Sequence, residues 1–484
     1  MRLQTLLGSL DSASAPSADV DVDVDVVRVT RDSRGVASGD VFVAIPGTQR
    51  DGHAFIAGLP PGAVAVVERP TEAPPGVIVV RVPDAKAALS RLSAAVVGFP
   101  ARDLSVIGIT GTNGKTTTST LVTTALEQLG RTVARMGTTG TRLAGQDLPG
   151  MLTTPEAPEL HGVLARLRDL GGRVAVMEVS SIGLIQHRVD DVPFALAVFT
   201  NLTRDHLDFH GSMEAYAEAK ATLFTHRLRD PGGLPRALLQ GDDGTWTQMQ
   251  PPSDRWLYGF DADSDVRITS WIPRADGATL RVETPLGSAV IDTPLLGRHN
   301  AYNLAAALAI GAMTGEAPQA MADALRGVVG APGRLEPVPN ATGVAVLVDY
   351  AHTPDALSAV LASVRASTKG QVWVVFGCGG DRDRGKRPEM GRAALAADRV
   401  IVTSDNPRSE DPNAILADIL EGIPQGSAVV EVDRATAIHL AIREASPGDV
   451  VLLAGKGHED YQEIAGVKHP FDDRRVAAEA LAAR

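Results

Sequence analysis

One stretch of the chain decides its fold class, and it reads Leu104-Ser105-Val106-Ile107-Gly108-Ile109-Thr110-Gly111-Thr112-Asn113-Gly114-Lys115-Thr116-Thr117. An apolar run of strand length leads into a glycine-rich loop, and a helical segment follows from Lys115 to about Leu129, where Gly130 ends it. A strand, a glycine-rich loop and a helix in this order form a phosphate-binding loop. The sequence therefore predicts an α/β domain that binds a nucleotide.

The loop residues carry the chemistry that a nucleotide requires. Backbone N–H groups in succession cradle an anion, the ammonium of Lys115 can reach the β- and γ-phosphates, and the hydroxyl of Thr116 can ligate Mg²⁺. The complete Walker pattern has a glycine five positions before Gly114, where this chain has Ile109, so the loop is a shorter variant. In preference to a glycine-rich turn without a ligand, we predict an ATP site formed by Gly111, Thr112, Asn113, Gly114, Lys115, Thr116 and Thr117.

Length and composition describe a chain of several globular domains. The 484 residues are 44% hydrophobic and 21% charged, which predicts about three domains, each with its own core. Apolar runs fall short of the roughly 18 residues of a membrane span, and the N-terminal stretch does not resemble a secretory signal. We therefore expect a cytoplasmic protein without membrane insertion.

Charge and cysteine content exclude several classes of function. The net charge of −12 argues against a nucleic-acid or anionic membrane surface, because both require a basic face. A single cysteine, Cys378, excludes an internal disulfide and a multi-cysteine metal site. The expected partners are small molecules, and we expect a monomer.

Changes of pattern along the chain place the domain boundaries. Short strands such as Val41 to Ile45 and Val64 to Glu68 fill residues 1–103. Residues 104–330 begin with the phosphate-binding loop and end after an alanine-rich helix that follows Asn303. Regular alternation of strands and helices, including a helix from Pro388, then runs through residues 331–484 and predicts a doubly wound, Rossmann-like domain.

Three residues of the central domain are candidate metal ligands. Glu178 ends the apolar run that begins at Arg173, where a phosphate-binding loop requires a carboxylate for Mg²⁺. Lys220 lies on the apolar stripe of a helix from Met213 to Leu228, so it is either desolvated, and then able to form a carbamate with CO₂, or a lysine that extends to solvent. His206 follows a buried strand and could bind a metal, although a lone loop histidine often has no ligand.

Polar, glycine-rich loops follow four strands of the third domain. They are Asp349 to His352, Gly377 to Arg382, Asp405 to Arg408 and Gly455 to Glu459. Because the carboxyl ends of parallel strands share one edge of a sheet, these loops predict a ligand site there. Cys378, between glycines, is interpreted as a small packing residue.

Together these motifs resemble the Mur ligases of peptidoglycan synthesis, and specifically the UDP-N-acetylmuramoyl-tripeptide synthetases of the MurE family, from about Thr30 to Arg475. The resemblance implies that the three domains bind the UDP-sugar, ATP and the incoming amino acid in chain order. It implies that Thr116, Glu178, His206 and Lys220, the last as N6-carboxylysine, hold two Mg²⁺ ions. Asn300, Asn303, Arg334 and Asp349 would contact the nucleotide, and the UDP-muramoyl-dipeptide would contact Ser33, Thr48, Gln49, Arg50, Thr153, Thr154, Ser180, Gln186 and Arg188.

The same resemblance implies the reaction and the amino acid. A substrate carboxylate attacks the γ-phosphate of ATP to give an acyl phosphate, and an amine then displaces phosphate to form an amide. The Asp405 to Arg408 motif resembles that of ligases that add meso-diaminopimelate, because an arginine fork suits the distal carboxylate. The residues implied for the amino acid are Arg382, Asp405, Asn406, Pro407, Arg408, Gly455 and Glu459.

One departure and several alternatives accompany this prediction. The family usually has histidine after two serines that follow the metal glutamate, whereas this chain has Ile182 there. The same ligase could add L-lysine or ornithine instead. A folylpolyglutamate-synthetase-like ligase would not need the first domain, and a non-catalytic nucleotide-binding scaffold would not need intact Lys115 and Lys220.

Overall fold

The computed structural model describes residues 1–10, 24–47, 51–148, 150, 152–228, 236–274 and 277–484. The fold is α/β and contains three main sheets, as the sequence predicts. In the part of the chain that is described, no helix combines the length and apolar character that crossing a membrane requires. The predicted boundaries at residues 103/104 and 330/331 lie between the sheets.

The first sheet is small and parallel, with strands in the order β1-β2-β3-β4. Alternate side chains of β2 face opposite sides: Val41 and Val43 pack with the helices, whereas Phe42 packs beneath a 3₁₀ turn. The elements are α1 (Leu3–Leu7), β1 (Arg28–Thr30), β2 (Asp40–Val43), the turn Gly52–Gly58, β3 (Val64–Val67), β4 (Ile78–Arg81) and α2 (Ala85–Val96).

The second sheet has eleven strands in the order β15-β14-β13-β12-β11-β10-β5-β9-β6-β7-β8. Its parallel centre places β5 between β10 and β9, so the phosphate-binding loop leaves the middle of the sheet. The strands are β5 (Ser105–Thr110), β6 (Val133–Gly137), β7 (Gly140–Leu143), β8 (Gln146–Leu148), β9 (Val174–Glu178), β10 (Leu196–Phe199), β11 (Ala237–Gln240), β12 (Arg255–Gly259), β13 (Val266–Arg274), β14 (Gly277–Thr284) and β15 (Gly287–Thr293).

Helices cover both faces of this sheet. Ile107 and Ile109 pack beneath α3, α8 and α9, and Val106 packs on the opposite face with α4 and α7. The helices are α3 (Lys115–Gln128), α4 (Ala157–Asp169), α5 (Ser181–Ile185), α6 (Leu207–His210), α7 (Met213–His226), α8 (Arg298–Met313) and α9 (Pro318–Leu325). The alanine-rich helix thus begins at Arg298 and contains Asn303, a correction to the expectation that it follows Asn303.

The third sheet has the order β16-β17-β21-β18-β19-β20 and is parallel except for β16. Helices α10, α11 and α12 pack on one face and α13 and α14 on the other, which is the predicted doubly wound arrangement. The strands are β16 (Glu336–Pro337), β17 (Ala345–Asp349), β18 (Val372–Phe376), β19 (Arg399–Val402), β20 (Val429–Val430) and β21 (Val450–Ala454), followed by a hairpin, β22 (Tyr461–Ile464) and β23 (Val467–Pro470).

The helices of this domain are α10 (Pro354–Ser367), α11 (Lys386–Ala394), α12 (Pro412–Leu420), α13 (Arg434–Glu444) and α14 (Asp473–Ala482). Helix α11 begins two residues before the expected Pro388, and Asp383 accepts a hydrogen bond from the N–H of Gly385, the residue before its first turn. Proline is tolerated there, since the first turn of a helix leaves its N–H groups unpaired.

Candidate active site

The phosphate-binding loop is fixed to the neighbouring strand end. The N–H of Thr112 donates to the carbonyl of Asn201 at 2.9 Å, and the N–H of Asn113 donates to the side-chain oxygen of Asn201 at 2.9 Å. Gly111 has a φ of +140°, and a methyl group there would overlap the hydroxyl of Thr200. The loop therefore requires glycine at this position, both for its backbone angle and for its close approach to β10.

Two lysines share one carbonyl of this loop. Lys115 Nζ donates to Gly111 O and Thr112 O at 2.8 Å each, and Lys220 Nζ donates to Gly111 O at 3.0 Å. Lys220 is only 1% exposed, so of the two alternatives left open by the sequence the desolvated lysine is the one found. Burial lowers the pKa of Lys115, and burial together with the charge of Lys115 holds the pKa of Lys220 well below its ordinary value.

Glu178 is fully buried at the end of β9 and contacts the same loop. Its Oε2 accepts hydrogen bonds from the hydroxyls of Thr116 and Thr138 at 2.9 Å each, and its Oε1 accepts one from the N–H of Thr138 at 3.0 Å. A carboxylate next to the hydroxyl of Thr116 offers oxygen atoms of the kind that Mg²⁺ prefers. Glu178 and Thr116, two predicted metal ligands, are thus in direct contact.

His206 lies near this loop but faces other groups, whereas Lys220 contacts the loop directly. His206 Nε2 is 3.4 Å from Asp205 Oδ2, and its ring lies 6.2 Å from that of Tyr216. Burial lowers the pKa of His206 to about 4, so the imidazole is neutral at pH 7 and able to act as a ligand. Among the described residues, no group of three or more His, Cys, Asp or Glu side chains gathers around one point.

A cavity of about 410 Å³ extends from the loop toward the third domain. All four residues predicted to contact the nucleotide line it: Asn300, Asn303, Arg334 and Asp349. Arg334 comes within 3.5 Å of the hydroxyl of Thr116, so the third domain reaches the phosphate-binding loop. Burial raises the pKa of Asp349, whose carboxylate accepts the N–H groups of Leu335 and Ala351 at 2.7 Å.

A second cavity, of about 560 Å³, lies between the first and central domains. Gln186 and Arg188 line it, and Arg188 donates to the carbonyl of Thr154 at 2.9 Å. Glu156, which the sequence analysis did not single out, contacts Arg188 at 3.0 Å and Arg31 at 2.7 Å. Its signal in the sequence was its place directly after the Thr153-Thr154-Pro155 motif.

The remaining residues predicted for the sugar nucleotide have different locations. Thr153 lies 3.1 Å from the hydroxyl of Thr138, and Ser180 lies 3.1 Å from that of Thr154. Ser33 lies on the loop after β1 and outside the lining of this cavity. The residues Thr48, Gln49 and Arg50 fall outside the described part of the chain.

A third cavity, of about 150 Å³, lies at the carboxyl edge of the third sheet. Six of the seven residues predicted for the amino acid line it: Arg382, Asp405, Asn406, Arg408, Gly455 and Glu459. Pro407 belongs to the same loop but does not reach the lining. Arg408 has a φ of +52° and donates to the carbonyl of Gly380 at 2.7 Å, which holds its guanidinium against the loop after β18. The cavity also contains Cys378, which is buried as predicted and whose pKa burial raises to about 12.

Asp205 joins the central domain to this third cavity. Its carboxylate is 3.4 Å from Lys386 Nζ and 3.5 Å from His352 Nε2, both in the third domain. Burial opposes ionisation of Asp205, but the contact with His352 and the charges of His352 and Lys386 outweigh it and hold its pKa well below the ordinary value. Sequence reasoning assigned no role to Lys386 or His352, because only the tertiary contact brings them to Asp205.

A histidine lies beside the position where the family pattern is broken. Ile182 is on α5, and the neighbouring Ser181 hydroxyl is 2.8 Å from His210 Nε2. The ring of His210 lies 5.0 Å from that of Tyr216, on the helix that carries Lys220. An imidazole is therefore present next to α5, contributed by α6 rather than by residue 182.

This arrangement defines a class of protein, the nucleotide-using enzymes whose phosphate-binding loop faces a second α/β domain. Family models match along the chain: the catalytic domain of the Mur ligase family at residues 25–97, the Mur ligase middle domain at 109–311 and the Mur ligase glutamate ligase domain at 333–457. The chain belongs to the Mur ligase family.

Individual relatives refine this assignment. A protein of Gloeobacter violaceus named UDP-N-acetylmuramoyl-L-alanyl-D-glutamate–2,6-diaminopimelate ligase is 45% identical, over 100% of this chain and 99% of that protein. A solved structure with the same protein name is 36% identical with a TM-score of 0.65, over 96% of this chain and 97% of the other. Folylpolyglutamate synthase of Mycobacterium tuberculosis, solved with ADP and AMPPCP, is 22% identical with a TM-score of 0.63 over 75% of this chain and 91% of its own, a likeness of fold alone.

Proposed function

We propose that the chain is an ATP-dependent ligase that joins meso-2,6-diaminopimelate to UDP-N-acetylmuramoyl-L-alanyl-D-glutamate in peptidoglycan synthesis. One observation carries the proposal: hydrogen bonds connect the phosphate-binding loop to the sugar-nucleotide cavity through Glu178. Thr116 donates to the Glu178 carboxylate at 2.9 Å, and Thr154 donates to the Glu178 carbonyl at 2.9 Å. Arg188 in turn donates to the carbonyl of Thr154 at 2.9 Å. These contacts support a substrate carboxylate that is directed from the sugar-nucleotide cavity toward the phosphate-binding loop.

In the first step, an oxygen of the substrate carboxylate attacks the γ-phosphorus of ATP, and ADP leaves. Lys115 would stabilise the charge that develops on the phosphate oxygens, while the loop N–H groups hold the phosphates in line. In the present arrangement Lys115 donates to two carbonyls of its own loop, so it must exchange them for phosphate oxygens. The residues contribute position and charge, and little acid–base chemistry is needed.

In the second step, the amine of the amino acid attacks the acyl carbon, phosphate leaves and the nitrogen loses a proton. The amine would approach from the third cavity, which is lined on its central-domain side by Asp205 and His206. The contact of Asp205 with Lys386 and His352 holds the two domains together at this point. Two domains in contact at this point would keep water away from the acyl phosphate, which water would otherwise hydrolyse.

We propose two Mg²⁺ ions as cofactors, held by Thr116, Glu178, His206 and a carbamate on Lys220. The fully buried Glu178 carboxylate, the hydroxyl of Thr116 and the neutral imidazole of His206 form a suitable donor set. When bound, Mg²⁺ would neutralise charge on the phosphate oxygens. Carbamate formation requires the neutral amine, and burial favours that form at Lys220 because it lowers the pKa.

The choice of diaminopimelate rests on Arg408 and Glu459. Both side chains line the same cavity, and one matches a distal carboxylate while the other matches a distal ammonium. L-Lysine or ornithine has no distal carboxylate to offer Arg408, whose Nε lies 3.9 Å from the Glu463 carboxylate. Because ATP and a UDP-sugar are metabolites of the cell interior, we also propose a cytoplasmic location, with a monomer as the working unit.

Phosphate release tests the proposal. It should require UDP-N-acetylmuramoyl-dipeptide, ATP and a diamino acid together, and meso-diaminopimelate should be preferred within a panel that contains L-lysine and ornithine. Turnover with folate and glutamate would instead indicate the folylpolyglutamate activity. ATP binding without turnover under any combination would indicate a scaffold.

A further inference from the structure

Lys456 is completely buried beside the third cavity. It follows β21 between Gly455 and Gly457, and its side chain is 0% exposed. Burying an ammonium is costly unless its charge and its hydrogen-bonding capacity are matched. The partners of Lys456 therefore indicate what the lysine does.

All three polar partners of Lys456 belong to the proposed amino-acid site. Its Nζ is 3.3 Å from Asn406 Oδ1, 3.3 Å from Glu459 Oε2 and 3.7 Å from Asp405 Oδ1. Asn406 and Asp405 come from the loop after β19, whereas Lys456 and Glu459 come from the loop after β21. One buried cation thus joins the two loops that form the pocket wall.

The contact fixes the orientation of the Asn406 carboxamide. Its Oδ1 receives the ammonium of Lys456 and the N–H of Glu463, the latter at 2.9 Å. Both groups are donors only, so the oxygen must face them and the Asn406 Nδ2 must face the other way. That nitrogen donates to Glu459 Oε2 at 2.7 Å.

The carboxylate of Glu459 is fixed by the same set of contacts. Its Oε2 accepts from both Asn406 and Lys456, while its side chain remains 18% exposed in the lining of the cavity. Oε1 takes part in neither contact and is left for a ligand. Because Asp405 and Glu459 carry like charges on one small pocket, the ammonium of Lys456 also compensates their repulsion.

We propose that Lys456 is a positioning residue for the incoming amino acid. It orients Asn406 and the Glu459 carboxylate so that they receive the distal ammonium group of the diamino acid. It acts through these neighbours, since it is itself closed off from the cavity. This inference rests on the proposed function, and the wild-type protein in the same assay tests that function separately.

The first test compares Lys456→Met with Lys456→Gln in the full-length protein. We expect Met, which keeps the length but not the charge or the donor, to raise the KM for meso-diaminopimelate at least tenfold. The KM values for ATP and the UDP-dipeptide should stay within twofold, and Gln, which keeps one donor, should have a smaller effect. Lys468→Met is the matched control, because Lys468 lies 3.9 Å from the ring of Tyr461, is exposed and belongs to the hairpin.

The second test combines each variant with Glu459→Gln. If Lys456 acts through Glu459, the double variant has nearly the same KM for diaminopimelate as Glu459→Gln alone. An unchanged KM for diaminopimelate in the folded variant overturns the inference. An equal rise in all three KM values also overturns it, because it would indicate a structural role. The same holds if the effects of the Lys456 and Glu459 substitutions on the KM for diaminopimelate are fully additive. If Lys456→Met does not fold, Lys456→Gln shows by the same measurement whether the KM for diaminopimelate rises selectively.

Discussion

The Glu178 carboxylate and the Thr116 hydroxyl, 2.9 Å apart, join the end of β9 to the first turn of α3. Neither partner is exposed beyond 3%. A small displacement of this carboxylate should therefore affect both the metal site and the phosphate-binding loop, and one glycine allows that displacement to be made.

Gly137→Ala should displace Glu178. A methyl group at Gly137 would overlap Glu178 Oε1, whereas one at Gly162 on α4 meets nothing within 4 Å. We expect Gly137→Ala to cost about 1–3 kcal/mol of stability and to lower kcat at least tenfold, with an increased requirement for Mg²⁺. Gly162→Ala is the control, and phosphate release across a Mg²⁺ titration is the measurement. Identical titrations for the two variants would contradict the role of Glu178.

Lys115→Ala should fold but lose turnover. The ammonium is the group that would meet the γ-phosphate, and alanine is a good helix former at the start of α3. Loss of such a charge from a phosphoryl-transfer site lowers kcat by about a hundredfold or more. Thermal unfolding checks the fold, and the exposed Lys369→Ala in the third domain is the control. A near-normal rate would be incompatible with the loop assignment.

Lys220→Ala should be inactive and partly rescued by a small carboxylic acid. The acid would occupy the space of the carbamate, since removal of the side chain leaves a cavity beside Gly111. Activity is measured against the concentration of added acetate or formate. Full activity without any additive would exclude the carbamate.

The wild-type protein should use meso-diaminopimelate far better than L-lysine. A charge-assisted hydrogen bond to Arg408 contributes about 1.5–3 kcal/mol, and a guanidinium left without the substrate carboxylate costs a similar amount, so discrimination should reach about a hundredfold or more. Arg408→Ala should raise the KM for diaminopimelate strongly and the KM for ATP little. Arg408→Lys should also be impaired, because a point charge lacks the planar fork. Equal kcat/KM values for the two amino acids would refute this specificity.

His161 should make the protein sensitive to acid. It is fully buried on α4, neither ring nitrogen has a hydrogen-bond partner among the residues that the structure describes, and burial lowers its pKa from 6.5 to about 3. Between these pH values the unfolded chain binds more protons than the folded one, so stability falls as pH falls, by about 1.4 kcal/mol per unit. His161→Leu should therefore gain about 2 kcal/mol on wild type between pH 7.5 and 5, as measured by urea unfolding. Parallel losses in both proteins would contradict this.

The features predicted best from the sequence are those that depend on the local backbone, such as a positive φ angle or the spacing of residues along a helix or strand. Gly111 and Gly114 have positive φ angles, which glycine adopts without strain, so the loop can be recognised in the sequence as a motif. Helical spacing placed Lys220 on an apolar face, but it did not decide between a buried ammonium group and one that extends to solvent. The parallel strands of the third domain were predictable from their continuous apolar runs.

Other features depend on contacts between distant segments and leave no local pattern. Asp205 and Lys386 are 181 residues apart in sequence, and only the packing of two domains brings them together. Lys456 was visible within a glycine-rich motif, but its buried contact with Asn406 joins residues 50 positions apart in sequence.

The separation of the pockets between two sheets has a consequence for how new specificities arise. The phosphate-binding loop leaves the central sheet, while the proposed amino-acid pocket is lined mainly by loops that follow β18, β19 and β21 of the third sheet, together with Asp205 and His206 of the central domain. Each ladder holds its own register, so a strand-end loop can be exchanged without shifting the strands that it connects. The amino acid that is bound can in this way change through replacement of a few short loops of the third domain, while the phosphate-binding loop of the central domain stays the same.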